Sequence, residues 1–299
     1  MKIKAIYWEL LLEIKSLYKS LDPNSDRILI DSQYKAQKSQ DRFLPLNGIA
    51  LISFDTNPIE RESYYDVAYS DLFPKKLKKI FALYLDYILV NRNAELPFAC
   101  AHLAQTIDGK IATRTGKSKW IGNEENLVHA HRVRALVDAI LVGGNTFRID
   151  KPKLNVRLVK GENPIKVIVA NSVLQLDTLS EGKTYLFSHN KLAYDHLPIE
   201  TEIINIPSSD SFIHSALLLK ELKKKGIHSI LIEGGCQTIR KFIEEKTLSR
   251  IEFHIAPILF GSGKNGIELE EIDELEEAIY LKNPKHYVFG NAIMTVSNL

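Results

Sequence analysis

Residues 229–243 read SILIEGGCQTIRKFI. The apolar run suits a buried strand, and it stops on Glu233, Gly234 and Gly235. A polar stretch and a helix-forming segment follow. A strand that ends on glycines at the start of a helix brings free backbone N–H groups and the positive end of a helix dipole to one point. That is a setting for phosphate. Residues 138–147, DAILVGGNTF, repeat the pattern. Glycine also ends strands simply because it takes positive φ without strain, so one such turn says little. Two in one α/β sheet say more, because both open on the carboxyl edge, where ligands of open α/β sheets bind.

Working outward, strand and helix patterns alternate from Pro97 onward. FACAHLAQT, AILVGG, PIKVIVAN, KTYLFSHN, SILIEGG and RIEFHIAPILFG read as strands, and HYVFGNAIMTVS closes the chain. NEENLVHAHRVRALV, SFIHSALLLKELKKKG and QTIRKFIEEK read as helices, with Asn123 as N-cap of the first and Gly226 ending the second. The alternation predicts a largely parallel, doubly wound α/β sheet with its last two strands antiparallel at one edge. Residues 1–95 read differently. Trp8, Leu11, Leu12, Ile14 and Leu17 recur at helical spacing, NGIALISFD suits a strand, and Pro74 opens a second amphipathic helix. They form a small α+β module or extension without a chemical motif, joined near NRNAELP to a main domain at 96–299.

Hydrophobic residues make up 45% of the 299 and charged residues 25%, the balance of an ordinary globular protein. A net charge of +2 gives no global electrostatic case for nucleic acid. Cys100 and Cys236 are the only cysteines, too few for a disulfide framework or a structural zinc site. His129 and His131, two apart on a helix, face different ways, so no metal is expected. The N-terminus lacks the apolar core and cleavage site of a signal peptide, and no run nears the roughly 20 apolar residues that span a bilayer. The expectation is a cytoplasmic protein with no membrane contact.

The segment LAQTIDGKIATRTGKSKWIG, then HRVRALVDAILVGGNTFRIDKPKLNVR, PIKVIVANS, ILIEGG and FHIAPILFGSG, resembles in order the reductase domain of bacterial riboflavin biosynthesis, the C-terminal domain of RibD. The resemblance runs from Pro97 to the C-terminus. It implies a dihydrofolate reductase-like fold, NADPH as cofactor, a homodimer, and reduction of the ribosyl group of a phosphoribosylamino-pyrimidine to a ribityl group. The bifunctional members carry a zinc deaminase first. Residues 1–95 here contain neither cysteine nor histidine, so deamination is expected from another chain. Two departures stand out. Lys151 occupies the second position of the family's D-D/N-P element, and Gln105-Thr106 precede the Asp-Gly turn.

The resemblance also assigns residues. Asp108, Lys110 and Glu233 are the catalytic candidates, Lys110 as acid or electrostatic stabiliser and Glu233 as a substrate contact. Asp108 with Gly109 is equally a plain turn signal. Ser118, Arg134, Leu154 and Arg157 are matched to the substrate, with the two arginines suited to a forked grip on phosphate. Ala104, Trp120, Thr146 and Asp150 are matched to the cofactor, and Gly235, Cys236, Gln237 and Thr238 to its diphosphate loop. Asn171 is placed on the adenosine side. Two alternatives stay open. One is a reductase of this fold for a related pyrimidine- or pteridine-like substrate of a specialised pathway. The other is a non-catalytic nucleotide-binding protein.

Overall fold

The computed structural model describes residues 2–299 apart from 42, 45–47, 55–63, 119–120, 178, 195 and 207–211. The chain divides into two compact units, Lys2–Asn93 and Ala94–Leu299.

In the first unit, helix α1 (Ala5–Tyr18) precedes strands β1 (Arg27–Asp31), β2 (Ala36–Ser39), β3 (Gly48–Phe54) and β4 (Tyr65–Tyr69), and helix α2 (Lys75–Ile88) follows. The strands form an antiparallel sheet in the order β2-β1-β3-β4. Both helices are amphipathic. α1 buries Trp8, Leu11 and Ile14, and α2 buries Leu77, Ile80, Phe81 and Tyr84 at i, i+3, i+4 spacing. β3 carries the longest continuous buried run, and β1 a shorter one at Ile28, Leu29 and Ile30. β2 and β4 are largely polar or half-exposed, which is why the sequence does not announce them.

The second unit opens with β5 (Phe98–Thr106) and the short β6 (Lys110–Ala112). Helix α3 (Glu124–Leu136), strand β7 (Ala139–Gly143), helix α4 (Gly144–Asp150) and strands β8 (Ile165–Val169), β9 (Thr184–Ser188) and β10 (Thr201–Asn205) follow. Next come α5 (Ser215–Lys224), β11 (Ser229–Ile232), α6 (Cys236–Glu244), β12 (Arg250–Ala256), β13 (Lys264–Asn265), β14 (Lys282–Phe289) and β15 (Ala292–Asn298). Nine strands make one sheet in the order β10-β9-β8-β7-β11-β5-β12-β15-β14. It is parallel from β10 to β12, and β15 and β14 add antiparallel at the edge. This is the expected α/β architecture. The closing stretch is a hairpin rather than one strand, because Gly290 turns the chain at φ +62°.

The sheet has two unlike faces. On one, Ala99, Ala101, Leu141, Ile230 and Ile232 pack with Leu219, Leu222 and Phe242 in a dry core. On the other, alternation along β5 and β12 presents His102, Glu252 and His254 beneath α3. α3 is started by Asn123, whose side chain accepts from the Asn126 N–H at 2.9 Å. Among the described residues no helix is long and apolar enough to cross a membrane.

Candidate active site

A cavity of about 620 Å³ opens where β5, β7 and β11 reach their carboxyl ends. The two glycine turns form one wall, and they interlock. Thr146, from the first, accepts a hydrogen bond from the Gly235 N–H at 3.1 Å. Thr238, from the second, fills the space beside Gly143 and Gly234. A Cβ on Gly143 would lie 2.5 Å from Thr238 Oγ1, and one on Gly234 would lie 2.7 Å from Thr238 Cβ. The missing side chains therefore bring two strand ends together first. The Gly235 N–H is spent on Thr146. Thr238 N–H bonds back to Gly235 O, so Cys236 and Gln237 carry the first-turn N–H groups of α6 that have no intrahelical partner.

The opposite wall is ionic. Arg134 on α3 donates from Nε to Glu233 Oε1 at 2.8 Å and from Nη2 to Oε2 at 2.6 Å. Its third nitrogen donates to the Asn155 carbonyl at 3.1 Å. Burial pushes the Glu233 carboxyl up, but the charge and hydrogen bonds of Arg134 outweigh it and hold the group below the usual carboxylate range. Next to Glu233 across the sheet stands His102, whose Nδ1 is 3.2 Å from Glu252 Oε2. His129 Nε2 meets the same oxygen at 2.9 Å, and Arg250 Nη2 lies 3.0 Å from the other. Burial raises the Glu252 carboxyl, and the charges of His129 and Arg250 with the histidine hydrogen bonds bring it well below its ordinary value. The ligand atoms of His102, His129 and Glu252 lie within 4.8 Å of one another, with the arginine against the same carboxylate.

Of the residues singled out from the sequence, Ala104, Ser118, Arg134, Thr146, Asp150, Glu233 and Gly235 through Thr238 share this cavity. Trp120 lies outside the described residues. Asp108 is not on the wall. Its carboxylate accepts from Thr106 Oγ1 at 2.5 Å, from Gly261 N–H at 2.7 Å and from Phe260 N–H at 3.2 Å, tying the turn after β5 to the loop after β12. The Thr106 bond, chiefly, lowers its pKa. Lys110 stands behind the wall and donates to Asn265 Oδ1 across the β6–β13 pair. Leu154 is wholly buried with φ +52°. Arg157 is exposed and donates its backbone N–H to His131 Nδ1 at 3.2 Å. Asn171, whose carbonyl accepts from Asn190, lies away from the cavity lining, on the side of β8. Sequence reasoning missed His102, Lys264 and Asn265 on the wall. A lone histidine in an apolar strand gives no signal until its partner on the neighbouring strand is known.

The profile of the RibD C-terminal domain matches residues 97–295. The chain belongs to that family. A relative from Aquifex aeolicus, named 2,5-diamino-6-ribosylamino-4(3H)-pyrimidinone 5′-phosphate reductase, is 29% identical over 217 residues, covering 67% of this chain and 96% of its own. The riboflavin biosynthesis protein RibD of the same organism is 33% identical over 200 residues, covering 64% of this chain and 54% of its own. This member of the RibD C-terminal domain family thus spans about half of that relative. In fold, it resembles the RibD of Acinetobacter baumannii with a TM-score of 0.63 and 16% identity, covering 98% of each chain.

Proposed function

We propose that this chain is an NADPH-dependent reductase that converts the ribosyl group of a phosphoribosylamino-pyrimidine to a ribityl group in riboflavin biosynthesis. The substrate is 5-amino-6-(5-phosphoribosylamino)uracil or its 2,5-diamino-pyrimidinone analogue. The reading rests on membership of the RibD C-terminal domain family and on the names of its relatives. The observation that carries it is the cavity itself, with a glycine wall on one side and an ionic wall on the other. Its volume suits a small-molecule site, for which roughly 300–1,000 Å³ is usual.

The glycine wall fits a dinucleotide. No Cβ stands over Gly143, Gly234 or Gly235, and the free N–H groups of Cys236 and Gln237 sit at the positive end of α6. When bound, the nicotinamide supplies a hydride. The small side chain of Ala104 on β5 leaves room beside it, and the Thr146 hydroxyl and Asp150 edge the same side. On the ionic wall, Glu233 is placed to accept from ribose hydroxyls, and Arg134 serves chiefly by fixing Glu233. Arg134 has its fork engaged, so the substrate phosphate falls to Lys264 on the rim, with Ser118 donating, while Arg157, expected to share that grip, is outside the cavity lining. Lys151 is exposed at the end of α4, in the left-handed region at φ +43°. The edge hairpin exposes Val288 (70%) and Ile293 (52%), a face suited to a second copy, and we propose a cytoplasmic homodimer.

Purified protein incubated with NADPH and each of the two pyrimidines tests the reading. The expected product has two more hydrogens than the substrate by mass spectrometry. An unchanged mass with both pyrimidines removes the substrate assignment.

A further inference from the structure

We propose that Arg148 selects the cofactor, its guanidinium taking the 2′-phosphate that distinguishes NADPH from NADH. The inference deepens the reductase reading and rests on its dinucleotide cofactor. Along the carboxyl edge of the sheet, β8, β7, β11 and β5 lie side by side in that order. Glu233 and Arg134 hold the cavity at the end of β11, and the N–H groups of Cys236 and Gln237 open beside the glycine turns of β7 and β11. A dinucleotide with its nicotinamide toward Ala104 on β5 and its diphosphate on those N–H groups runs on past β7. Its adenosine then comes to the end of β8. Strands stand about 4.8 Å apart, so the ends of β5 and β8 are separated by roughly 14 Å, a span suited to an extended dinucleotide.

The end of β8 belongs to a ledge of uncharged polar groups. Asn171 and Ser172 follow β8, and Asn190 follows β9. Asn190 Nδ2 donates to the Asn171 carbonyl at 2.9 Å, and Asn205 Nδ2 at the end of β10 donates to the Asn190 carbonyl at 2.9 Å. Arg148 reaches this ledge from α4. Gly144 starts that helix so close to β8 that a Cβ there would lie 2.7 Å from Ala170 Cβ. One turn on, Arg148 Nη2 donates to Ser172 Oγ at 2.8 Å. Thr146, Ile149 and Asp150 of the same helix line the cavity, so α4 joins the cavity to the ledge.

The charge of Arg148 is uncommitted. The side chain is exposed, and among the described residues it has no carboxylate partner. Ser172 takes one of its five N–H groups and steadies the rest, which are left to meet a phosphate as a fork. In dinucleotide sites of doubly wound sheets, a carboxylate accepts from the ribose 2′-hydroxyl where NAD is used, and an arginine meets the 2′-phosphate where NADP is used. The chain after β8 offers Asn171 and Ser172 rather than a carboxylate. Asp150, the one acid on α4, lines the cavity instead.

The test is equilibrium binding of NADPH and of NADH to the wild type, Arg148→Gln, Arg148→Lys and Lys151→Gln, followed by protein fluorescence. The wild type should prefer NADPH by about 10- to 100-fold, the worth of charged hydrogen bonds to one phosphate. Arg148→Gln should bring the two affinities nearly together, by weakening NADPH and leaving NADH in place. Only a bond to an exposed hydroxyl is lost, so the fold should stand, and unchanged NADH binding verifies it. Arg148→Lys keeps the charge without the fork and should fall between. Lys151→Gln removes an exposed charge three positions on and should keep the wild-type preference. A wild type that binds both dinucleotides equally, an Arg148→Gln protein that keeps the preference, or a Lys151→Gln protein that loses it as fully overturns the inference and leaves the reductase reading standing. A wild type that binds neither dinucleotide overturns the cofactor assignment, and the inference falls with it. Binding needs no pyrimidine, so a chain that reduces neither pyrimidine still tests Arg148.

Discussion

Arg134 grips both carboxylate oxygens of Glu233 at 2.6 and 2.8 Å, joining α3 to the end of β11 across 99 positions of sequence. The side chains are only 12% and 18% exposed. Removing one member of such a pair strands the other charge away from water. Arg134→Met should cost about 3–5 kcal/mol in urea unfolding. Arg134→Lys keeps the charge without the fork and should cost less. Equal stability for the wild type and the Met variant would show that the pair holds nothing together.

The glycine turns predict a coupled pair of substitutions. Ala at Gly143 would place its Cβ 2.5 Å from Thr238 Oγ1, and Thr238 is itself wedged against Gly234. Gly143→Ala should therefore destabilise by about 1–3 kcal/mol and weaken NADPH binding. Thr238→Ala removes the offending oxygen. The double variant should be more stable than the two single losses added together predict, a coupling read from a double-mutant cycle. Strict additivity would contradict the interlock.

Acid should weaken this fold through its buried histidines. His254 is fully buried, with no hydrogen-bond partner at either ring nitrogen. Burial first, and then the neighbouring His102 and His129, push its pKa down to about 3. His131 is pushed down to about 4, by burial and then by Arg134 and Arg157. Below about pH 6.5 the unfolded chain takes up protons that the folded chain refuses. Stability should thus be greatest above that pH and fall as pH drops toward 4. His254→Leu should raise stability by about 1–3 kcal/mol near neutrality, since it removes an unsatisfied buried polar group. It should also flatten the acid limb of Tm against pH. A His254→Leu profile parallel to the wild type would contradict this.

Much of the sheet was legible because parallel strands buried on both faces read as apolar runs bounded by glycine. β10, β2 and β4 were not, since they are short and half-polar and owe their conformation to neighbours already in place. The glycine turns were legible as a ligand edge. Their interlock through Thr146 and Thr238 was not, because it depends on β7 and β11 lying side by side. Asp108 shows the limit of a motif: its turn reading is what the structure displays, with its carboxylate held by Thr106 of the same turn and by the backbone of the loop after β12. His102 marks the opposite limit. Its partner Glu252 lies 150 positions away and becomes visible only when β5 and β12 are laid in register.

The central claim is hydride delivery to the sugar. NADPH carrying deuterium at C4 of the nicotinamide, on the transferable face, should leave one deuterium at C1′ of a ribityl product from the ribosylamino-pyrimidine phosphate. Absence of deuterium from every product, with either pyrimidine and with deuterium tested on each face of the cofactor, would contradict the account.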